Sequence, residues 1–313
     1  MLNSIFRGGN RIIGYGILSL IFLTGILLSF LEPIVSYNSF TSVRWLDITI
    51  VGLVSLFSGL FLNNFLIKNK FIGINDIAPG FLLILFLTGL PNQASQVDVV
   101  TSVLLVILLI RKFISLHNTK NNFISVFEIG LILGVIISIM PQLAGIVLLT
   151  IVGLTLVKTY SWRDFIIPIV GVSFIMFLKG VFNFLLDQPI DLFTLKFYKP
   201  TLNPNMNISQ LILSGITAIE FLFIYKLFYI IESKNIRERV HYWLWIWLSI
   251  FLLFSILFMQ SPVNKVELIL LIGLPASVFS KEFLDAPIKT WRKDLTLFIL
   301  ILSMLALRII PFF

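Results

Sequence analysis

Residues Phe165–Leu186 read FIIPIVGVSFIMFLKGVFNFLL, and one charge, Lys179, interrupts them. The run lacks the every-second-residue alternation of a strand in a membrane barrel. It also exceeds the roughly 20 residues that a helix needs to cross a hydrocarbon core about 30 Å thick. Such a run predicts a membrane-crossing helix. Ten further apolar runs, bounded by charged and turn residues, have the same character. They are Ile12–Leu31, Leu46–Ile67, Ile77–Leu90, Val97–Ser115, Phe123–Met140, Leu143–Val157, Ile208–Ile231, Tyr242–Met259, Val266–Ser280 and Leu295–Ile310.

The composition of the whole chain agrees. Of its 313 residues 58% are hydrophobic and 12% are charged, where soluble domains carry about a quarter charged. A soluble domain of this length cannot hide so much apolar surface, and a disordered chain has the opposite balance. The sequence therefore predicts an all-α polytopic transmembrane helix bundle, one integral-membrane domain over residues 1–313 with about eleven spans. Ile77–Leu90 is short and flanked by Pro79 and Pro91; if it enters and leaves on one side, the count is ten. Ile12–Leu31 ends in Ser29-Phe30-Leu31-Glu32-Pro33 rather than a small-residue cleavage site, so it reads as a retained first helix.

Orientation follows from the basic residues. With the N-terminus in the cytoplasm, 17 of the 23 Lys and Arg fall in inner segments. Only Arg44, Lys196, Lys199 and Lys265 fall outside, while Lys179 and Arg308 lie within spans. That asymmetry is what the positive-inside rule requires of a multi-pass protein of a bacterial inner membrane. Topology and anionic inner-leaflet lipid account for the net charge of +8, and no nucleic-acid partner is needed. Trp45, Trp162, Trp243, Trp245, Trp247 and Trp291 all fall at or near the ends of the runs, as an interfacial aromatic belt would place them.

Much chemistry is excluded. There is no Cys, hence no disulfide, thiolate nucleophile or Cys-ligated metal. The two histidines, His117 and His241, sit in polar stretches, so neither a bis-His haem nor a His-rich metal centre is expected. No Walker loop, dinucleotide-binding glycine pattern or helical His-Glu-x-x-His occurs. The expectation is no cofactor and no metal. Gly130-x-x-x-Gly134 predicts close backbone approach by a neighbouring helix, more often one of the same chain than of a partner. Gly-Leu-Pro occurs twice, at Gly89-Leu90-Pro91 and Gly273-Leu274-Pro275, a weak sign of broken helices in two halves.

The informative residues are ionisable groups where lipid excludes charge. Lys179 lies eight residues before Asp187, about 12 Å below the outer end of its helix, and Glu220 lies about 18 Å deep in the next. Each alone costs about 2.5–3.5 kcal/mol near mid-bilayer on insertion scales. Pairing, or a shared water-filled cavity, is the expected resolution. Asn183, one turn beyond Lys179, shares its face and can hydrogen-bond either partner. Glu128, near the inner end of its helix, is expected to reach toward water. A second constellation lies in the largest extramembrane segment, the outer loop 187–207. There Asp187, Asp191 and Lys199 offer carboxylates beside a cation, which a transferase acting on a polyprenyl-pyrophosphate sugar would need as base and clamp. Any solvated loop can hold the same residues.

Three stretches carry a resemblance. They are Thr159-Tyr160-Ser161-Trp162-Arg163-Asp164-Phe165-Ile166-Ile167-Pro168-Ile169-Val170-Gly171, the opening Ser4-Ile5-Phe6-Arg7, and Arg111-Lys112-Phe113-Ile114-Ser115-Leu116. The chain resembles uncharacterised multi-spanning inner-membrane proteins of Bacteroidetes-type Gram-negative bacteria, built around a domain of unknown function. The resemblance implies location and brings no activity or catalytic residue. A looser likeness, to polytopic enzymes that handle lipid-linked sugars, rests on a main outer loop after the seventh helix. The leading expectation is a non-catalytic envelope transport or assembly component that works with membrane lipids and other envelope proteins. A lipid-linked sugar transferase or polymerase is the alternative, and an ion-coupled secondary transporter is a further one.

Overall fold

A computed structural model of the chain describes residues 42–73, 76–88, 97–116, 122–157, 162–187, 234–258 and 265–285, with single positions between 225 and 232 and between 291 and 302. The described residues are helical and contain no strand. In chain order the helices are α1 Ser42–Lys68, α2 Ala78–Thr88, α3 Val97–Leu116, α4 Asn122–Ile139, α5 Val147–Val157, α6 Trp162–Leu185, α7 Ile236–Phe258 and α8 Lys265–Asp285. A 3-10 segment, Pro141–Ile146, leads directly into α5. Among the described residues three helices are long and apolar enough to cross a membrane: Thr49–Lys68 of α1, Val97–Leu116 and Trp162–Leu185.

Four other apolar helices are shorter, Ala78–Thr88, Phe123–Ile139, Pro141–Val157 and Leu271–Ser280. The run expected over Ile77–Leu90 forms an 11-residue helix with every residue buried. At about 1.5 Å per residue it is near 16 Å long, too short to cross alone. Glu232–His241, whose charges read as an inner segment extending the helix, is helical from Ile236 onward. Burial within α7 corrects two expectations. His241 is buried, and Trp245 stands nine residues into α7, about 14 Å from its start, fully buried rather than in an interfacial belt. Trp162 and Trp291 are exposed, as a belt requires. The runs Ile12–Leu31, Ile208–Ile231 and Leu295–Ile310 lie wholly or largely outside the described residues.

The contacts divide the chain into two units. The first contains α1, α2 and α8. Gly59 and Gly80 let α1 and α2 approach closely: a Cβ on Gly80 would stand 2.6 Å from the Gly59 carbonyl oxygen. The hydroxyls within these apolar helices turn inward on their own backbone. Ser55 donates to the Val51 carbonyl at 2.6 Å and Thr88 to that of Ile84 at 2.8 Å, so neither needs an outside partner. Gly273-Leu274-Pro275 lies inside a continuous α8 and does not break it; Gly89-Leu90-Pro91 lies outside the described residues.

The second unit contains α3 from Ser102 onward, α4, the 3-10 segment, α5, α6 and α7. Its most extensive helix pair is α4 with α6. Gly130 and Gly134 make that pairing possible. A Cβ on Gly130 would lie 2.7 Å from Pro168 Cα, and one on Gly134 would lie 2.8 Å from Ile175 Cβ. From the other side, a Cβ on Gly171 would meet the Gly130 backbone at 2.9 Å. The neighbour that the Gly130-x-x-x-Gly134 spacing called for is thus a helix of the same chain. The order of these contacts shows that α4 and α6 run parallel.

Candidate functional site

Helix α6 has two faces. Asp164, Pro168, Gly171 and Met176 are buried, at steps of three to five that keep one side of a helix turned inward. The opposite face exposes Ile166, Ile169, Val170, Phe174 and Phe177. Only 17% of its most apolar window is buried inside the protein, against 61% for α3. Lys179 and Asn183 continue the inward face by single turns and are half-buried. The lysine therefore points toward the protein, away from the apolar side.

What it meets is set one helix earlier. Met140 N–H donates to the Ile136 carbonyl at 2.8 Å, the last such bond of α4. Pro141 has no N–H to offer the next carbonyl, so the helix cannot continue. The chain tightens at once into the 3-10 segment, with Leu143 N–H donating to the Met140 carbonyl at 3.0 Å. The last carbonyls of α4 are left without intrahelical donors. Lys179 Nζ donates to one of them, the Ser138 carbonyl oxygen, at 3.0 Å. A cation at a helix C-terminus also lies at the favourable end of the macrodipole.

Glu220, the expected partner of Lys179, lies outside the described residues. Asn183 stands on the shared face one turn on and makes no hydrogen bond among the described residues. Glu128 does not simply reach water; its carboxylate forms an ion pair with Lys112 of α3. Each side chain of that pair is 39% exposed. The signal was available in the numbering, since the two lie eight positions either side of Lys120, across a short connection between consecutive helices.

The outer-loop constellation is only partly within view. Asp187 is exposed with φ of 52°, and its N–H donates to the Phe184 carbonyl at 3.3 Å. It thus ends α6 in the left-handed conformation that Asp and Asn tolerate better than other side chains. That gives Asp187 a conformational task independent of any chemistry. Asp191 and Lys199 lie outside the described residues.

Sequence reasoning overlooked two features of the second unit. Trp245 is fully buried and its indole N–H has no acceptor among the described residues. Ser255 is also buried, with its hydroxyl where a Cβ on Gly145 would stand 2.7 Å away. Both lie on α7, and their burial depends on the neighbouring helices, which the sequence does not show.

A family model matches residues 15–313, nearly the whole chain. The chain belongs to DUF6427, a family of unknown function. The family's extent takes in every helix described above, so the α4–α6 pair and Lys179 fall within DUF6427 and not in an appendage to it. No curated protein and no solved structure matches the chain.

Proposed function

We propose that this chain is a multi-pass protein of the bacterial inner membrane, N-terminus in the cytoplasm, serving as a non-catalytic component of envelope transport or assembly. Eleven apolar runs underlie the multi-pass reading, with ten crossings if Ala78–Thr88 does not span. The observation that carries the functional part is α6: membrane length, an apolar face outward, and Lys179 turned inward onto the broken end of α4. Charged groups inside membrane helices are rare, face the bundle interior, and mark pathways or relays more often than they mark packing. Anionic inner-leaflet lipid remains the expected lipid partner. It suits Arg163, which lies 5.8 Å over the exposed Trp162 ring at the start of α6, an interfacial pairing of cation and aromatic.

Complementation of a deletion strain separates this reading from catalysis at the outer face. Lys179→Met, present at wild-type abundance, should fail to restore the envelope phenotype. The triple change Asp187→Ala, Asp191→Ala, Lys199→Ala should restore it. The reverse pattern would make the outer loop the working part. Reporters fused after Lys120 and Arg239 should behave as cytoplasmic, and one within Pro200–Met206 as periplasmic.

A further inference from the structure

Arg163 heads an exposed stripe of α6. Ile166, Val170, Phe174 and Phe177 follow it at steps of three and four residues, which keeps them on one side of the helix. All four apolar side chains are exposed, while Lys179 lies on the other side and reaches α4. From Ile166 to Phe177 the stripe runs about 16 Å at 1.5 Å per residue, close to half of a hydrocarbon core about 30 Å thick. It has the depth of one leaflet, with a guanidinium at its end.

That end lies at a membrane surface. The parallel pairing of α4 with α6 sets Gly130 beside Pro168 and Gly134 beside Val172, so Ile124 stands level with Trp162. Phe123, Ile124 and Trp162 are 62%, 69% and 69% exposed. Large apolar groups exposed in the first turns of two helices are costly in water, whereas the boundary of a bilayer suits an aromatic beside a cation. The asymmetry of basic residues makes this the cytoplasmic boundary.

Positive charge is in excess there. Lys112 pairs with Glu128, and Asp164 is on the buried face of α6. The connections 117–121 and 158–161, which lead into α4 and α6, carry Lys120 and Lys158 and no acidic residue. Arg163 makes no hydrogen bond or ion pair among the described residues; its guanidinium lies 5.8 Å over the Trp162 ring. A guanidinium held over an indole keeps its N–H edge for a bidentate acceptor such as a phosphate.

We propose that this stripe seats one anionic phospholipid of the inner leaflet. Arg163, beside Trp162, holds the phosphate, and an acyl chain lies along Ile166, Val170, Phe174 and Phe177. The inference rests on the membrane reading above and turns its general lipid partner into a defined site. A phospholipid supplies the anion and the apolar cover in one molecule, in the order and over the length that the stripe presents. The surrounding excess of basic residues favours a headgroup with net negative charge over a zwitterionic one.

The full chain is purified in neutral detergent with phosphatidylglycerol and phosphatidylcholine supplied in equal amounts, and retained lipid is read by native mass spectrometry. Wild type should hold one phosphatidylglycerol per chain in preference to phosphatidylcholine. Arg163→Gln should weaken retention about fivefold, the effect of one basic residue at a membrane surface. Arg163→Lys should restore only part of it, because an ammonium lacks the planar fork. Lys68→Gln, at the exposed end of α1 in the other unit, should leave retention unchanged. These side chains are exposed, so Tm in lipid-free detergent should not move. Full restoration by Arg163→Lys, or equal losses for Lys68→Gln and Arg163→Gln, means diffuse attraction and overturns the site. Equal retention of the two lipids overturns it too, as does a protein that co-purifies with wild type and is lost with Arg163→Gln. In each of those cases the reporter fusions after Lys120 and Arg239 still decide the membrane reading by themselves.

Discussion

Helix α4 meets a lysine near each end, and the two meetings differ in kind. Near its start, Glu128 pairs with Lys112, and both side chains keep more than a third of their surface exposed. At its finish, Lys179 reaches from α6 to the Ser138 carbonyl, beside a turn whose residues are buried. The first pair has water to fall back on, so its attraction is screened and each charge survives alone. The second joins two half-buried residues, and its acceptor is a neutral backbone carbonyl instead of a charge. Ser138 is among the last residues of α4, whose carbonyls have no intrahelical donor once Pro141 ends the helix, and Lys179 supplies one of the missing donors. One lysine is thus an accessory at an edge, and the other completes the backbone of a helix it does not belong to.

The largest effect should come from the contact that holds the two helices in register. Gly130→Leu places a side chain where the Pro168 backbone already stands. The backbones must separate, and overpacking of this sort costs about 1–3 kcal/mol or more. Thermal unfolding in detergent should show a drop of several degrees. If Tm is unchanged, α4 and α6 do not approach as described and the comparison between the two lysines collapses with them.

Next comes Lys179→Met, which keeps the apolar stem and removes the donor. Leaving the Ser138 carbonyl unpaired should cost about 1–3 kcal/mol, read from the same melting curves. Lys179→Arg, which retains a charged donor, should recover part of the loss. Equal destabilisation by Met and Arg would mean that the ammonium's shape, and not its hydrogen bond, is what α4 requires.

The smallest effect belongs to Lys112 and Glu128. A double-mutant cycle of Lys112→Met and Glu128→Gln should return a coupling energy of about 0.2–1 kcal/mol, and it should shrink further in high salt. A coupling larger than that measured for Lys179 would reverse the ranking of the two ends.

How much of this was legible beforehand varies along the chain. Continuous apolar runs located α3 to within one residue at its end and α4 to within one at both ends, because desolvating a long polar backbone leaves a helix as the only local solution. Charge marked where the apolar runs end and not where the helices end. Residues 236–241 carry Arg237, Glu238, Arg239 and His241, yet all belong to α7, since a charged stretch at a helix end satisfies its backbone as readily inside the helix as outside. Trp245 was misplaced because sequence does not show which face of a helix is covered by protein.

The sequence by itself determined that the chain is helical, that its apolar content demands something other than water around it, and that Lys179 and Asn183 share a face. Those follow from local backbone chemistry and the 3.6-residue period, and neither needs a neighbour to be known. Which way that face points, which apolar helices are buried and which exposed, and what Lys179 touches were decided only by tertiary structure. Val97–Ser115 and Phe165–Leu186 read alike as sequence, yet one turns most of its surface to protein and the other most of it outward. Burial depends on which partner a face finds. Here that choice rests on Gly130, Gly134 and Gly171, whose missing side chains admit α6 to α4 and so bring an ammonium to one of the last carbonyls of α4.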